Sequence, residues 1–491
     1  MALTDAVRRR LRPGTTVLDQ DFLGEQADMI DDRVARYRLF EDYYQGEQRT
    51  RLIDRARLYL QASGLCFAEN FCETVVDTLA NRLKIEAFHH ETQDALAEWL
   101  NGPFAKRNRL GELQTVVHSN TPMLGDGFVF VEFDAAAGIP RLRWNRPHNV
   151  KPTYDDETGE LSLVSKVWAT TRISASNPDG KLIQRLNLYY PDRVEKYYAL
   201  ASGKGSQWAT HEDTEGDSGI AWLTTTGDQD GEPLGIPVVH FRNRARGRTF
   251  GRSDLRGAIP FQDELNKQLL DLFYVMDVQA WPTPWASGIS DETQLDVAPG
   301  NWVRTSNEDA RFGTLDAADP GGMLESIDAT LRRMSAKTGT PLFDLLKGTP
   351  PSGEALKTAE AGLIARGEDC HEGFGNSWTD AAAIATRQML AFGEPDFGEL
   401  PEDEVLDVSV MWEPVATRNE RDETEMYVMQ HDLGVSRRTI LTKLGYDADA
   451  EEKQRAEEDA QDAPPAPPPP TDPPVPPPAD PPAGPAPEPQ Q

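Results

Sequence analysis

Residues 236–280 read IPVVHFRNRARGRTFGRSDLRGAIPFQDELNKQLLDLFYVMDVQA, and this stretch organises the rest of the chain. Its first residues close a region of strand-like segments. Six arginines follow within fifteen residues (Arg242, Arg244, Arg246, Arg248, Arg252 and Arg256), with Asp254 the only acid among them. From Arg252 to Ala280 the apolar residues Leu255, Ile259, Leu265, Leu269, Leu272, Phe273 and Met276 recur on one helical face. No proline lies between Pro260 and Pro282, so the spacing predicts a helix of roughly 40 Å at about 1.5 Å per residue. The arginine run has two readings: ion pairs to acidic neighbours, or a contact facing another subunit or DNA.

Working outward to the N-terminus, Ile30, Val34, Tyr37, Phe40 and Tyr44 give a helix that Gly46 ends. Further helices are predicted over about 68–83, 91–100 and 110–124. The pattern then turns to strands: 127–133 with 141–144, 153–154 with 161–168, and 186–190 with 194–200 turned at Pro191-Asp192. Residues 125–242 thus read as mostly β.

On the C-terminal side, 281–320 is short, mixed and turn-rich. Met323, Ile327, Leu331 and Met334 mark another helix. Thr338 to Gly353 is a loop rich in Gly, Pro and Thr. Glu354 to Phe392 is a proline-free helix with kinks expected at Gly362, Gly367, Gly373 and Gly375. Val405 to Trp412 alternates like a strand, and two helices split at Gly434 follow. From Asp447 to Asp462 eight acids face two bases, and 16 of the 28 residues from Pro464 onward are proline. Such a tail has no apolar surface to bury and is expected to be extended and disordered.

Composition narrows the function. At 491 residues the chain has room for about three regions. Fifty Lys+Arg against 81 Asp+Glu leave −31, which excludes a protein that coats nucleic acid non-specifically but not one that handles DNA without gripping it. No apolar run approaches the length of a membrane span. Arg8, Arg9, Arg10 and Arg12 are not followed by the apolar stretch of a signal peptide. Cys66, Cys72 and Cys370 are too few for a disulfide framework and read as buried thiols. There is no phosphate loop, dinucleotide fingerprint, H-E-x-x-H or nucleophile elbow, and no metal site or cofactor is expected. His89-His90 read as a surface loop pair, and Asp228 to Gly231 as a hairpin turn rather than a calcium loop. Gly434 to Ile440 superficially resembles a helix-turn-helix, but the acidic flanks would repel phosphate.

In their order these segments resemble the portal proteins of tailed double-stranded-DNA bacteriophages of the siphophage type. The likeness rests on Tyr43-Tyr44-Gln45-Gly46, on Asn70-Phe71 to Val76-Asp77, and on Gly125 to Val129 with Pro147 to Val150 and Tyr154-Asp155. It is nearest at Ile236 to Asn243, Gly251 to Leu255 and Gln262 to Lys267. The resemblance implies an α+β portal fold: a helical and β wing (1–250), a first stem helix (251–282), a clip (283–320), a second stem helix (321–337), a tunnel loop (338–352), a kinked wing helix (353–395), a helical crown (396–446) and an acidic, Pro-rich disordered tail (447–491).

It also implies a homo-oligomer of twelve copies at one capsid vertex of the virion, assembled in the host cytoplasm and not in a membrane. Double-stranded DNA would pass non-specifically through its channel during packaging and ejection. The terminase large subunit and later a head–tail connector or adaptor protein would dock on it, beside the major capsid and scaffolding proteins. No catalysis is implied. Candidate DNA contacts are Arg332, Arg333, Lys337 and Lys347; candidate clip contacts are Trp302, Arg304 and Phe312, since aromatics and arginine anchor interfaces. An alternative is a non-ring virion or adaptor protein that uses the Pro-rich tail as a ligand. An enzyme of the packaging pathway is disfavoured by the missing motifs.

Overall fold

The computed structural model describes residues 18–29, 31–48, 69–174, 177–200, 207–211, 219–221, 233–280, 284–288, 309–314, 320–341, 353–395, 397 and 407–416, with 427–429, 433, 434, 451, 453 and 455. Residues up to Ala416 form one compact unit and Thr417–Gln491 a second. In the second, Tyr427–Met429 is helical, and a turn at Leu433–Gly434, with Gly434 at φ 93°, falls where the sequence splits its two helices.

The first unit mixes helices and sheets. Helix α1 (Gln20–Ala27) precedes α2 (Asp31–Gln45), which stops at Gly46 with φ 73°. Helix α3 (Phe71–Ala80) is capped by Asn70, whose Oδ1 accepts from the Cys72 N–H at 3.1 Å. Strand β1 (Ile85–His90) leads into α4 (Asp94–Trp99), a π turn over Leu100–Phe104, α5 (Ala105–Asn108) and α6 (Leu110–Leu124). The strands β2 (Asp126–Asp134), β3 (Ile139–Asn145), β4 (Val150–Tyr154), β5 (Leu161–Thr170), β6 (Ile183–Tyr189), β7 (Arg193–Ala199), β8 (Ala209–Thr210), β9 (Gly219–Ala221) and β10 (Val238–Arg242) follow. Helix α7 (Leu255–Ala280), the hairpin β11 (Pro284–Ser287) and β12 (Arg311–Thr314), α8 (Gly321–Thr338), α9 (Gly353–Phe392) and β13 (Val408–Trp412) complete it.

All three predicted strand pairs form, each antiparallel. Strand β2 is the centre of a three-stranded sheet, β10-β2-β3; β4 to β8 run in order in a second sheet, with β9 also on β7. Phe128 and Phe130 of β2 pack with Val164 and Tyr189 of the second sheet. Against the first sheet lies α9, whose Phe374, Trp378 and Ala381 join Val129, Val131 and Phe241 in the largest core. A smaller core gathers Tyr37, Phe40 and Tyr43 of α2, Val75 and Val76 of α3, Leu255 and Ala258 of α7, and Met334 of α8.

Helices α7 and α8 run antiparallel. Arg333 pairs with Glu264, Ser326 bonds Gln268, and Leu265 and Leu272 pack with Ile327 and Leu331. Beyond Leu272 the predicted apolar face is partly exposed: Phe273 and Met276 are 39% and 51% exposed.

Several expectations are corrected. Helix α7 begins at Leu255, not Arg252, because the Ser253 hydroxyl caps it, accepting from the Leu255 N–H while donating to the Met123 carbonyl. His89-His90 are not a surface loop: β1 pairs with β13, and His90 is buried with its Nδ1 accepting from the Thr92 and Gln93 N–H groups. Thr338, expected to open a loop, is the last residue of α8. Helix α9 runs unbroken through the four glycines at which kinks are expected, and Gly367 and Gly375 leave room for neighbours. A β-carbon at Gly367 would lie 2.4 Å from Val415 Cγ1, and one at Gly375 3.3 Å from the Trp412 indole nitrogen. Cys72 and Cys370 are buried thiols as expected, their pKa pushed up to about 12 by burial. Cys66 and residues 228–231 lie outside the described residues.

His118 links α6 to α9 in the largest core. Trp378 Nε1 donates to its Nε2 at 2.9 Å, so the ring proton sits on Nδ1 and is given to the Leu83 carbonyl at 2.6 Å. Burial drives its pKa down to about 4. The unfolded ring titrates near 6.5 and takes up protons first, so the stability gained by keeping His118 neutral is whole above pH 6.5 and is lost as pH falls toward 4. Between pH 7 and 5 this group should cost about 2 kcal/mol. Urea unfolding at both pH values should show His118→Gln destabilised at pH 7 and closing on the wild type at pH 5. Parallel pH profiles would contradict the assignment.

Candidate functional site

Two buried carboxylates hold the arginine-rich loop between β10 and α7. Asp126 is fully buried. It accepts from Arg33 Nη2 (2.5 Å), the Tyr37 hydroxyl (2.8 Å), the Gly251 N–H (2.6 Å) and His240 Nε2 (3.0 Å). With the His240 proton on Nε2, Nδ1 accepts from the Tyr154 hydroxyl at 2.7 Å. Burial alone would raise the Asp126 pKa, but the His240 bond, the Arg33 charge and the Gly251 N–H outweigh it, and the carboxyl sits below its usual range. Burial keeps His240 neutral.

The backbone around Asp126 requires glycine. Gly125 has φ 96°, and a β-carbon at Gly251 would fall 1.9 Å from the Gly125 carbonyl oxygen. Asn243 closes the loop base, its N–H bonding the Gly125 carbonyl and its side chain the Arg252 carbonyl.

Asp254, the lone acid of the arginine run, is the second anchor. Its Oδ2 lies 2.5 Å from Nη2 of Arg366, both side chains being nearly inaccessible. Arg366 also donates to the carbonyl of Thr338, the last residue of α8. One guanidinium on α9 therefore binds the entry to α7 and the exit from α8. Gly339 turns the chain at φ 70°, and its absent β-carbon would come 3.2 Å from the Gly362 carbonyl oxygen. The two backbones touch because both positions are glycine.

The six predicted arginines divide between two fates. Arg244 (φ 50°) turns inward to Asp254 at 3.3 Å. Arg242 lies over the Tyr154 ring, and Arg246 (φ 45°) reaches Asp369 at 3.9 Å, with both partners exposed. Arg248, Arg252 and Arg256 are exposed with no carboxylate partner among the described residues.

Of the candidate DNA contacts, Arg333 pairs with Glu264 (2.7 Å) and Arg332 with Asp328 (3.7 Å). Lys337 is exposed, without a carboxylate partner among the described residues, and lines a cavity of about 150 Å³ with Arg244 and Arg252. Phe312, on β12, is 44% exposed. Lys347, Trp302 and Arg304 lie outside the described residues. No group of His, Cys, Asp or Glu suited to a metal occurs among the described residues, and no described helix is long and apolar enough to cross a membrane.

Sequence reasoning missed Asp126, Arg366, Arg33 and Arg36. A signal existed for two: Asp126 sits between glycines in Gly125-Asp126-Gly127, and Arg366 interrupts the apolar face of α9 between Gly362 and Gly367.

The profile of the family described as Phage portal protein, SPP1 Gp6-like, matches residues 27–466. The portal protein of Mycobacterium phage D29 is 22% identical over 462 residues, covering 89% of this chain and 88% of that protein. The portal protein of Mycobacterium phage L5 is 21% identical over 408 residues, covering 77% and 76%.

Removing Arg366 would strand a buried carboxylate. Arg366→Met should cost about 3 kcal/mol, reduced from the upper range because Arg244 still faces Asp254. Adding Asp254→Asn should recover part of that loss. Urea unfolding of the three proteins tests this, and a loss below about 1 kcal/mol for the single variant would contradict it.

Proposed function

This chain belongs to the SPP1 Gp6-like phage portal family, and on that premise we propose that twelve copies form a ring at one capsid vertex, the channel for DNA packaging and ejection. Portal proteins are components of the phage capsid, and the family role is structural.

The observation that carries the finer reading is the antiparallel pair α7–α8 pinned at one end to α9. In this reading α7 and α8 are the stem, and the β11–β12 hairpin between them belongs to the clip. The elements before residue 250, together with α9, are the wing; residues 339–352 are the tunnel loop and 396–446 the crown. Arg366 and Asp254 hold the stem base at a fixed point on the wing, so that load from moving DNA passes into the packed sheet rather than into a hinge. The clip, with Phe312, Trp302 and Arg304, is the docking face for the terminase large subunit and then the head–tail connector.

The charge of the chain supports a channel that DNA slides through. Twelve copies at −31 carry −372, and an acidic lumen repels phosphate, so adhesion is confined to a few basic points. Lys337 is the strongest of these, because Arg332 and Arg333 already face carboxylates on their own stem. Lys347 is the corresponding candidate within the tunnel loop.

Two measurements test this. The native mass of the purified protein should be near 12 × 54.5 kDa, about 654 kDa; a species that stays at 54.5 kDa at every concentration contradicts the ring. Separately, Lys337→Glu should leave that mass unchanged while lowering the DNA content of particles. Normally filled, infectious particles would remove Lys337 from the channel.

A further inference from the structure

The arginines with no carboxylate partner among the described residues do not simply face solvent. Arg248, Arg252 and Arg256 line one cleft of about 710 Å³ with Arg36 of α2, a residue far from them in sequence. Arg33 stands at the same cleft, its guanidinium 3.7 Å over the Phe250 ring, but it is committed to Asp126. No carboxylate among the described residues lines the cleft. Its remaining wall is mostly apolar (Leu39, Phe40, Phe250, Ile259 and Pro260, with Leu39 45% exposed), interrupted by Tyr37, Thr249 and Ser253. The chain therefore holds four exposed guanidiniums around a half-apolar hollow while carrying a net −31.

We propose that this cleft is one half of the contact between neighbouring copies of this chain, and that it receives an acidic segment bearing a large apolar side chain from the next copy. The proposal rests on the ring reading above. A ring closes through a head-to-tail interface, in which each copy presents two different, complementary patches. Copies at −31 repel one another, so such an interface needs concentrated positive charge facing its neighbour's carboxylates. The cleft supplies that charge, and guanidinium forks suit carboxylates. Its size suits a few side chains rather than a surface lysine or a lone ion. Its apolar wall favours a peptide over a DNA backbone, which offers phosphate and sugar but no apolar anchor for Leu39 and Phe250. Arg242, Arg244 and Arg246, turned to Tyr154, Asp254 and Asp369, are left out of this contact.

The test places a photo-crosslinking phenylalanine, p-benzoylphenylalanine, at Leu39 in the full-length protein. The crosslinked peptide is identified by mass spectrometry, and native mass is measured on the same sample. The expected product is a crosslink to an acidic segment of a second copy. Arg248→Glu/Arg252→Glu should abolish that crosslink and raise the concentration needed for assembly by tenfold or more, whereas Arg246→Glu should leave both unchanged. A ring-sized species with no crosslink between copies overturns the proposal and leaves the ring reading intact. A crosslink between copies in a species that is not ring-sized keeps the contact and overturns the ring. Crosslinking to DNA, or to a different protein when Leu39 is labelled in infected cells, assigns the cleft to that ligand and overturns the proposal.

Discussion

The buried pair of Asp254 and Arg366 is the constraint on which the described fold turns. It joins three segments that the sequence spreads over more than a hundred residues: the start of α7, the end of α8 and the middle of α9. A buried ion pair is a poor source of net stability, because desolvating both charges offsets most of their attraction. Its worth here is in position. Arg366 cannot leave Asp254 without stranding a carboxylate, and it cannot turn from the Thr338 carbonyl without freeing the end of α8. The touching glycines at 339 and 362 remove the space in which the joint could slide.

Asp126 does the same for the other side of the loop. Its partners come from α2, from β10 and from the loop backbone, so the arginine-rich segment is held at its base from both ends. This explains how six arginines crowd into the fifteen residues from the end of β10 to the first turn of α7. Some are consumed by the anchors and their neighbours. The others are displayed on a rigid base, where they can act on something outside the chain.

Much of this was legible in the sequence. The helices at 110–124 and 255–280 and the three hairpins were readable because apolar spacing and turn residues agree there. The order of long helix and second helix, α7 and α8, was readable for the same reason. The long-range joints were not. Nothing local marks Arg366 as the partner of Asp254, since a salt bridge between distant residues leaves no periodicity. The glycines of α9 read as kink sites because glycine weakens a helix; only the neighbours Val415 and Trp412 show that Gly367 and Gly375 leave room for packing. His89-His90 looked like a loop because β1 is short and its partner β13 lies more than three hundred residues away. Of the candidate site, the arginine run was visible as a charge reversal. Its division into inward and outward residues was not, and neither was the arrival of Arg36 from α2.

In the proposed ring, the α7–α8 pairs surround the DNA path. Cryo-electron microscopy of the assembled protein measures this directly. Twelve copies around one axis, with α7–α8 toward that axis and Lys337 facing the lumen, are the predicted result. An assembly with α7–α8 on its outer circumference, or with no central channel, would contradict it.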